Sequence, residues 1–290
     1  MLRNSKLVVL SMAGAAVLSA AHSYPVTGLI ISVDRPHRTF TASCTAIPGY
    51  MEAMVMPLAV HDEKALDGLR PSVFVDFNLM VTDSDSWADN VRIHAYRNLE
   101  QEPQQVQRLQ LLAGLTQKAT LPSQVEIGDN IPDFTLTDQT GESVSLSQMT
   151  GKVVAAAFFY AGCPLPNYCF RLSNNLARVR KRFADRMGRD LILLSITMDP
   201  VHDTPESLDK YAATWRADAS SWHFLTGPSS QVQRLCAWFG VNFWPDEGTL
   251  THSLHTILID RQGKLAANFE GNEFTAEQLG DFVEALVNQR

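Results

Sequence analysis

The segment Val153-Val-Ala-Ala-Ala-Phe-Phe-Tyr160 is an uninterrupted apolar run, and Cys163-Pro-Leu-Pro-Asn-Tyr-Cys169 follows it directly. A helix-like stretch, Phe170-Arg-Leu-Ser-Asn-Asn-Leu-Ala-Arg-Val-Arg180, comes next. An apolar run of this length, without alternation, reads as a strand buried on both faces. A buried strand that delivers two cysteines to the start of a helix restricts the fold to a layered α/β domain. It also restricts the chemistry. Unpaired N–H groups and partial positive charge at a helix N-terminus favour thiolate over thiol. Two neighbouring thiolates either close a disulfide or clasp a soft ion.

The flanking pattern agrees. From Val125 strands and helices alternate: a strand at Asp133-Phe-Thr-Leu-Thr, a helix from Asn167 to about Met187, and a second buried strand over Leu191-Ile-Leu-Leu-Ser-Ile-Thr197. Helices are expected at Pro205 to Trp215, with Asp203-Thr204 placed to cap, and at Ser229 to Phe239. A hairpin turns at Arg261-Gln-Gly263, and an amphipathic helix runs from Thr275 to Val287. In such a domain active groups gather at the C-terminal ends of strands. The first part of the chain reads differently. Val26 to Val33, Thr39 to Cys44, Val73 to Val81 and Val91 to Tyr96 are short β-rich runs separated by turn residues. They predict a small, closed, OB-like all-β barrel over residues 24–97. A Gln-rich, partly helical linker is expected at 98–125, and the α/β domain over 126–290.

Met1-Leu-Arg-Asn-Ser-Lys6 is basic, Leu7 to Ala20 apolar, and Ala21-His-Ser23 a small-residue cleavage pattern. Residues 1–23 thus read as a secretory signal peptide, or as an anchor if left uncleaved. The apolar stretch is short of the roughly 20 residues that span a bilayer. Export exposes Cys44, Cys163, Cys169 and Cys236 to an oxidising compartment, and four cysteines are too few for a disulfide scaffold. A net charge of −7 excludes nucleic acid as the expected partner.

Three separated motifs occur in order: Phe-Tyr-x-x-Cys-Pro…Cys, then Asp199-Pro-Val-His-Asp203-Thr-Pro205, then Thr251-His252-Ser253 ahead of Asp260. Over roughly residues 126 to 290 this resembles the Sco/SenC family. The resemblance implies a thioredoxin-like fold and a copper chaperone that assembles the dinuclear copper centre of cytochrome c oxidase. Carried over, the copper ligands would be Cys163, Cys169 and His252, with Cys163 and Cys169 forming a disulfide when oxidised. It further implies a copper-acceptor partner such as an oxidase subunit, a periplasmic thiol reductant, and a location in the periplasm or on the outer face of the inner membrane. Two thiolates and an imidazole suit Cu(I), and the imidazole also tolerates Cu(II). The chain departs from the family in one respect. Five residues separate its cysteines where the family usually has three, and none of the five is acidic.

Ile47-Pro-Gly-Tyr-Met51-Glu-Ala-Met54-Val-Met56-Pro57 forms a second soft-ligand cluster. Met54 and Met56, two apart, face the same side of a strand, and thioether sulfur selects Cu(I). The stretch resembles the small periplasmic copper-binding barrel of the Cus efflux system, whose motif is Trp-Pro-x-Met-x-Met with a His on an earlier strand. By that resemblance Met54 and Met56 would be ligands, Met51 stands at the Trp position, and Cys44 lies close to where the His would be.

The remaining chemistry-bearing residues are assigned structural parts. His255 reads as a packed or surface histidine, Asp199 and Asp203 as loop-shaping residues, Cys236 as a core thiol, and Arg178, Arg180, Lys181 and Arg182 as a solvated helix face. Phe243 to Gly248 reads as a loop leading toward His252. The expected function is an exported copper chaperone. The alternative is a thiol–disulfide oxidoreductase or peroxide reductase with Cys163 as nucleophile and Cys169 resolving.

Overall fold

The computed structural model describes residues 21–94, 124–246 and 249–289. The expected signal peptide lies outside them except for Ala21, His22 and Ser23. The expected linker lies outside them except for Gln124 and Val125. Among the described residues no helix is long and apolar enough to cross a membrane.

The N-terminal strands are β1 (His22–Asp34), β2 (Thr39–Cys44), β3 (Met54–Ala59), β4 (Phe74–Val81) and β5 (Ser86–Ile93). They form one antiparallel sheet in the order β3-β2-β1-β4-β5. Period-two alternation turns Phe40, Ala42 and Cys44 of β2, Leu58 of β3, and Val75, Phe77 and Leu79 of β4 toward a common interior. The expected closed barrel does not form. The edge strands β3 and β5 approach within 8 Å without sharing a ladder, so the sheet is curled and open. Pro57 in β3 lacks an N–H and marks it as an edge strand. His61 stacked on Trp87 of β5, with ring centroids 4.7 Å apart, bridges the gap with side chains instead. The last strand also starts earlier than the predicted Val91, because Ser86-Trp-Ala-Asp-Asn lacks clean apolar alternation.

The second half begins with a small hairpin, β6 (Thr135–Thr137) and β7 (Ser143–Ser145). The main elements are β8 (Val153–Phe159), α1 (Cys169–Arg182), β9 (Leu191–Thr197), α2 (Pro205–Thr214), β10 (Trp222–Leu225) and α3 (Ser229–Trp238). They continue with β11 (Phe243–Asp246), β12 (Thr249–His252), β13 (His255–Ile259), β14 (Leu265–Glu270) and α4 (Ala276–Val287). The central sheet runs β10-β9-β8-β13-β14, parallel among β8, β9 and β10 and antiparallel at β13 and β14. Every residue of β8, β9 and β13 is buried, as their unbroken apolar runs require. Thr204 caps α2 by accepting from Ser207 N. Asp203 does not cap it and is used elsewhere.

The two sheets are joined by β1. Val26 and Ile30 face the N-terminal interior, while Leu29 and Ile31, on the opposite face, enter the core of the α/β domain. The run Gly28-Leu-Ile-Ile31 is apolar on both faces because both faces are covered. Polar contacts seal the seam: Ser43 Oγ donates to Asp281 Oδ2 at 2.6 Å, and Ser72 Oγ to the Asn268 carbonyl at 2.7 Å.

Candidate metal centre

β8 leads into a tight turn in which Cys163 N donates to the Tyr160 carbonyl at 3.3 Å. Pro164 and Pro166 have no N–H to give and fix φ, which stiffens the loop ahead of the helix. It starts at Cys169, preceded by Tyr168 in a non-helical conformation and without a side-chain cap. Cys169 is 1% exposed and belongs to the core, whereas Cys163 is half-buried. The loop is held from below by Asp203, itself 3% exposed. Asp203 Oδ2 accepts from Ala161 N at 3.0 Å and from the Thr197 hydroxyl.

His252 arrives from the other side. The antiparallel pairing of β13 with β8, Thr256 opposite Ala157, places the start of β13 over the end of β8. His252 therefore stands above the cysteine loop, and its Nε2 lies 3.4 Å from Cys169 Sγ. Its Nδ1 lies 2.9 Å from the Ser253 carbonyl. A carbonyl only accepts, so Nδ1 carries the proton and Nε2 presents its lone pair. A donor atom from each of Cys163, Cys169 and His252 lies within 4.8 Å of the other two. Sequence reasoning named this trio, and the structure brings it together.

The two thiols are electrostatically unequal. A hydrogen bond from the Cys169 side chain, acting against burial, pushes the Cys163 thiol down to about 4. The thiolate so formed, together with burial, pushes Cys169 up. Cys163 is the anionic, reachable sulfur and Cys169 the protonated, covered one. All four cysteines are free, so the pair stands here in its dithiol form.

His255 is packed, as expected, and bonds Asn268 Oδ1 at 2.9 Å; burial lowers its pKa. Cys236 is a core thiol, pushed up by burial. Phe243 to Asp246 is not a loop but β11, paired with β12 so that Phe243 opposes His252. The basic face of α1 is not simply solvated. Arg178 pairs with Glu277, and Arg182 with Asp281 at 2.8 Å and with Glu284, tying α1 to α4. Sequence reasoning missed Tyr160, whose hydroxyl lies 3.4 Å from both the N and the O of Leu250. A tyrosine closing an otherwise apolar buried strand is the signal that could have found it, since a buried hydroxyl needs a partner.

In the N-terminal sheet Cys44 is 2% exposed and pushed up to about 12 by burial. Its cross-strand partner is Met54, and Met56 stands opposite Ala42. Directly paired residues share a face, so Cys44, Met54 and Met56 lie on one side of β2 and β3. Met54 is half-exposed at the end of the strand. Met51 bridges back to Ile47 in the intervening turn.

A family model described as SCO1/SenC matches residues 124–288. The chain belongs to this family. Its SCO1 homologue in Bacillus subtilis is 28% identical over 149 residues, which are 50% of this chain and 76% of that protein. A SCO2-like protein of Rickettsia typhi is 29% identical over 186 residues, 60% of this chain and 87% of that one. A crystal structure of yeast Sco1 with copper bound is 24% identical, with a TM-score of 0.48 over 58% of this chain and 91% of that one. The family match begins at residue 124, so the N-terminal sheet lies outside it.

Proposed function

We propose that this SCO1/SenC protein is an exported copper chaperone that holds copper between Cys163, Cys169 and His252. It passes the metal to an acceptor such as a cytochrome c oxidase subunit whose copper centre is being assembled. The donor set carries the reading: two sulfurs and one imidazole nitrogen mutually within 4.8 Å, with no carboxylate in the group. Soft sulfur donors select Cu(I), and the neutral Nε2 extends the set toward Cu(II). Cys163, half-buried and anionic, is the sulfur an incoming ligand reaches first, which suits delivery by ligand exchange. The pair must be in the dithiol form to accept metal. A disulfide would need two electrons and two protons from a thiol reductant in the same compartment. The basic start followed by an apolar stretch supports a periplasmic or outer-face location.

The N-terminal sheet, in this proposal, holds a second Cu(I) through Met54, Met56 and Cys44, with Met51 nearby. Its support is the shared face of those residues across β2 and β3. Burial of the Cys44 thiol sets a cost, because the proton must leave before sulfur binds metal strongly.

A second reading has one observation in its favour. The split between a lowered Cys163 and a raised Cys169 is the arrangement of a nucleophilic and a resolving thiol. On that reading the chain is a periplasmic thiol–disulfide oxidoreductase or peroxide reductase.

Anaerobic Cu(I) titration of the reduced protein against a competing chelator, beside Cys163→Ser and the double variant Met54→Leu/Met56→Leu, tests the proposal. Two coppers in the wild type and one in each variant support both sites. One copper, lost in Cys163→Ser and kept in the methionine variant, removes the N-terminal site. No tight copper at all sinks the chaperone reading and favours thiol redox chemistry.

A further inference from the structure

The strands β11 and β12 form a two-stranded sheet that shares no ladder with the central sheet. The hairpin that carries His252 is led into place by the adjoining β13 but makes no ladder bonds of its own to the main sheet. Two polar ties at its base are local: Ser253 N donates to the Asn242 carbonyl at 2.8 Å, and Asn242 N to Ser253 Oγ at 2.9 Å. Tyr160 is different. Its carbonyl accepts from Cys163 N within the cysteine turn. Its hydroxyl donates to the Leu250 carbonyl and accepts from Leu250 N, both at 3.4 Å. Leu250 is two residues before His252 on the same strand. The Tyr160 ring also meets the His252 imidazole edge-on, with centroids 5.6 Å apart and planes at 84°. One residue, 5% exposed, thus touches the turn bearing one ligand, the strand bearing another, and the flank of that second ligand's ring.

We infer that Tyr160 is a positioning residue that clasps the β11–β12 hairpin over the cysteine loop and holds His252 in ligating range. It does not itself ligate. The inference rests on the copper reading of the trio and adds to it the residue that sets how firmly the nitrogen donor is presented. Removing the hydroxyl takes away a neighbour of the Cys163 sulfur as well as the partner of Leu250, and lets the imidazole stray. At 3.4 Å both bonds are long, so the effect belongs at the modest end of what a buried hydrogen bond supplies.

The test is Tyr160→Phe, which deletes one oxygen and keeps the ring in the core. Hydrogen exchange of the metal-free protein reads the clasp without copper, and the Leu250 amide, deprived of its acceptor, should exchange about 2- to 10-fold faster. Cu(I) affinity should fall by a similar factor. In a His252→Ala background the same substitution should cost clearly less affinity, because the group it positions is gone. Unaltered Leu250 exchange overturns the inference. So does an equal affinity loss with and without His252, which would mark a general structural role. A wild type that binds no copper overturns the underlying reading instead, and the exchange result still decides whether the clasp exists.

Discussion

Cys169 Sγ and His252 Nε2 stand 3.4 Å apart although 83 residues separate them. The contact follows from topology. β13 runs antiparallel to β8, so the chain entering β13 passes over the point where the chain leaving β8 turns into the cysteine loop. A sulfur at a helix start and a nitrogen at a hairpin end are thereby fixed from opposite directions. The Ser253 carbonyl, by holding the Nδ1 proton, keeps the lone pair on the side of the sulfurs.

The ligands are therefore not equivalent. Cys163→Ser and Cys169→Ser each remove one of two soft donors and should abolish tight Cu(I) binding. His252→Ala leaves both sulfurs and should weaken binding by at least about tenfold, or about 1.4 kcal/mol. Competition titration of the three variants measures the order, and equal affinity for all three and the wild type would remove the site.

Cys163 should be alkylated by iodoacetamide far below neutral pH, with reactivity fading only as the pH falls through about 4. Cys169 should stay unmodified under the same conditions, because burial and the adjacent thiolate keep it protonated. Replacing Cys169 with Ser weakens the largest cause of the lowered value and should move the Cys163 profile to higher pH. Mass spectrometry of the labelled peptides across pH separates these outcomes. Stability follows with a definite sign. A thiol whose pKa drops from 9.0 to about 4 on folding contributes stability that is fully present above 9.0. That contribution is lost as the pH falls toward 4. Between those limits the wild type should lose more stability than Cys163→Ser, and parallel curves would contradict the assignment.

Asp203 carries the other half of the loop's support. Its carboxylate takes the Ala161 N–H and the Thr197 hydroxyl inside the protein, so Asp203→Ala strands two donors. A cost of about 1–3 kcal/mol is expected, with Asp203→Asn, which keeps one oxygen acceptor, costing less. Chemical denaturation of the metal-free variants checks it. A cost for the Asn variant equal to that for Ala would place the effect elsewhere.

Much of this architecture can be read from local pattern. β2 occupies Thr39–Cys44 as alternation predicts, and α4 ends at Val287 as its amphipathic period predicts. Cys163, Cys169 and His252 are legible because their motifs are short and ordered along the chain. Legibility fails where the cause is not local. Whether β3 and β5 close a barrel depends on the curl of the whole sheet, which neither strand encodes. The β11–β12 hairpin is hidden because Pro245 argues against a strand and the pairing that rescues it is supplied by Thr249–His252. Asp203 looks like a cap from its position before Thr204, but its carboxylate is taken by the Ala161 N–H and the buried Thr197 hydroxyl. The arginines of α1 look solvated because their acidic partners, Glu277, Asp281 and Glu284, come about a hundred residues later.

The same non-local logic makes β1 the strand on which both halves of the protein depend. Leu29 has no exposed surface and sits in the α/β core, although it belongs to the N-terminal sheet. Leu29→Ala removes buried methyl groups from a site walled by two layers that cannot easily collapse. A loss of about 3–4 kcal/mol is expected. Because the seam is shared, through Leu29, Ile31 and the Ser43–Asp281 bond, the two halves should unfold in one transition, and the variant should shift that transition as a whole. Calorimetry of wild type and Leu29→Ala decides the matter. Two transitions, with only the less stable one moved by the substitution, would mean that the N-terminal sheet is an independent unit resting on the α/β domain.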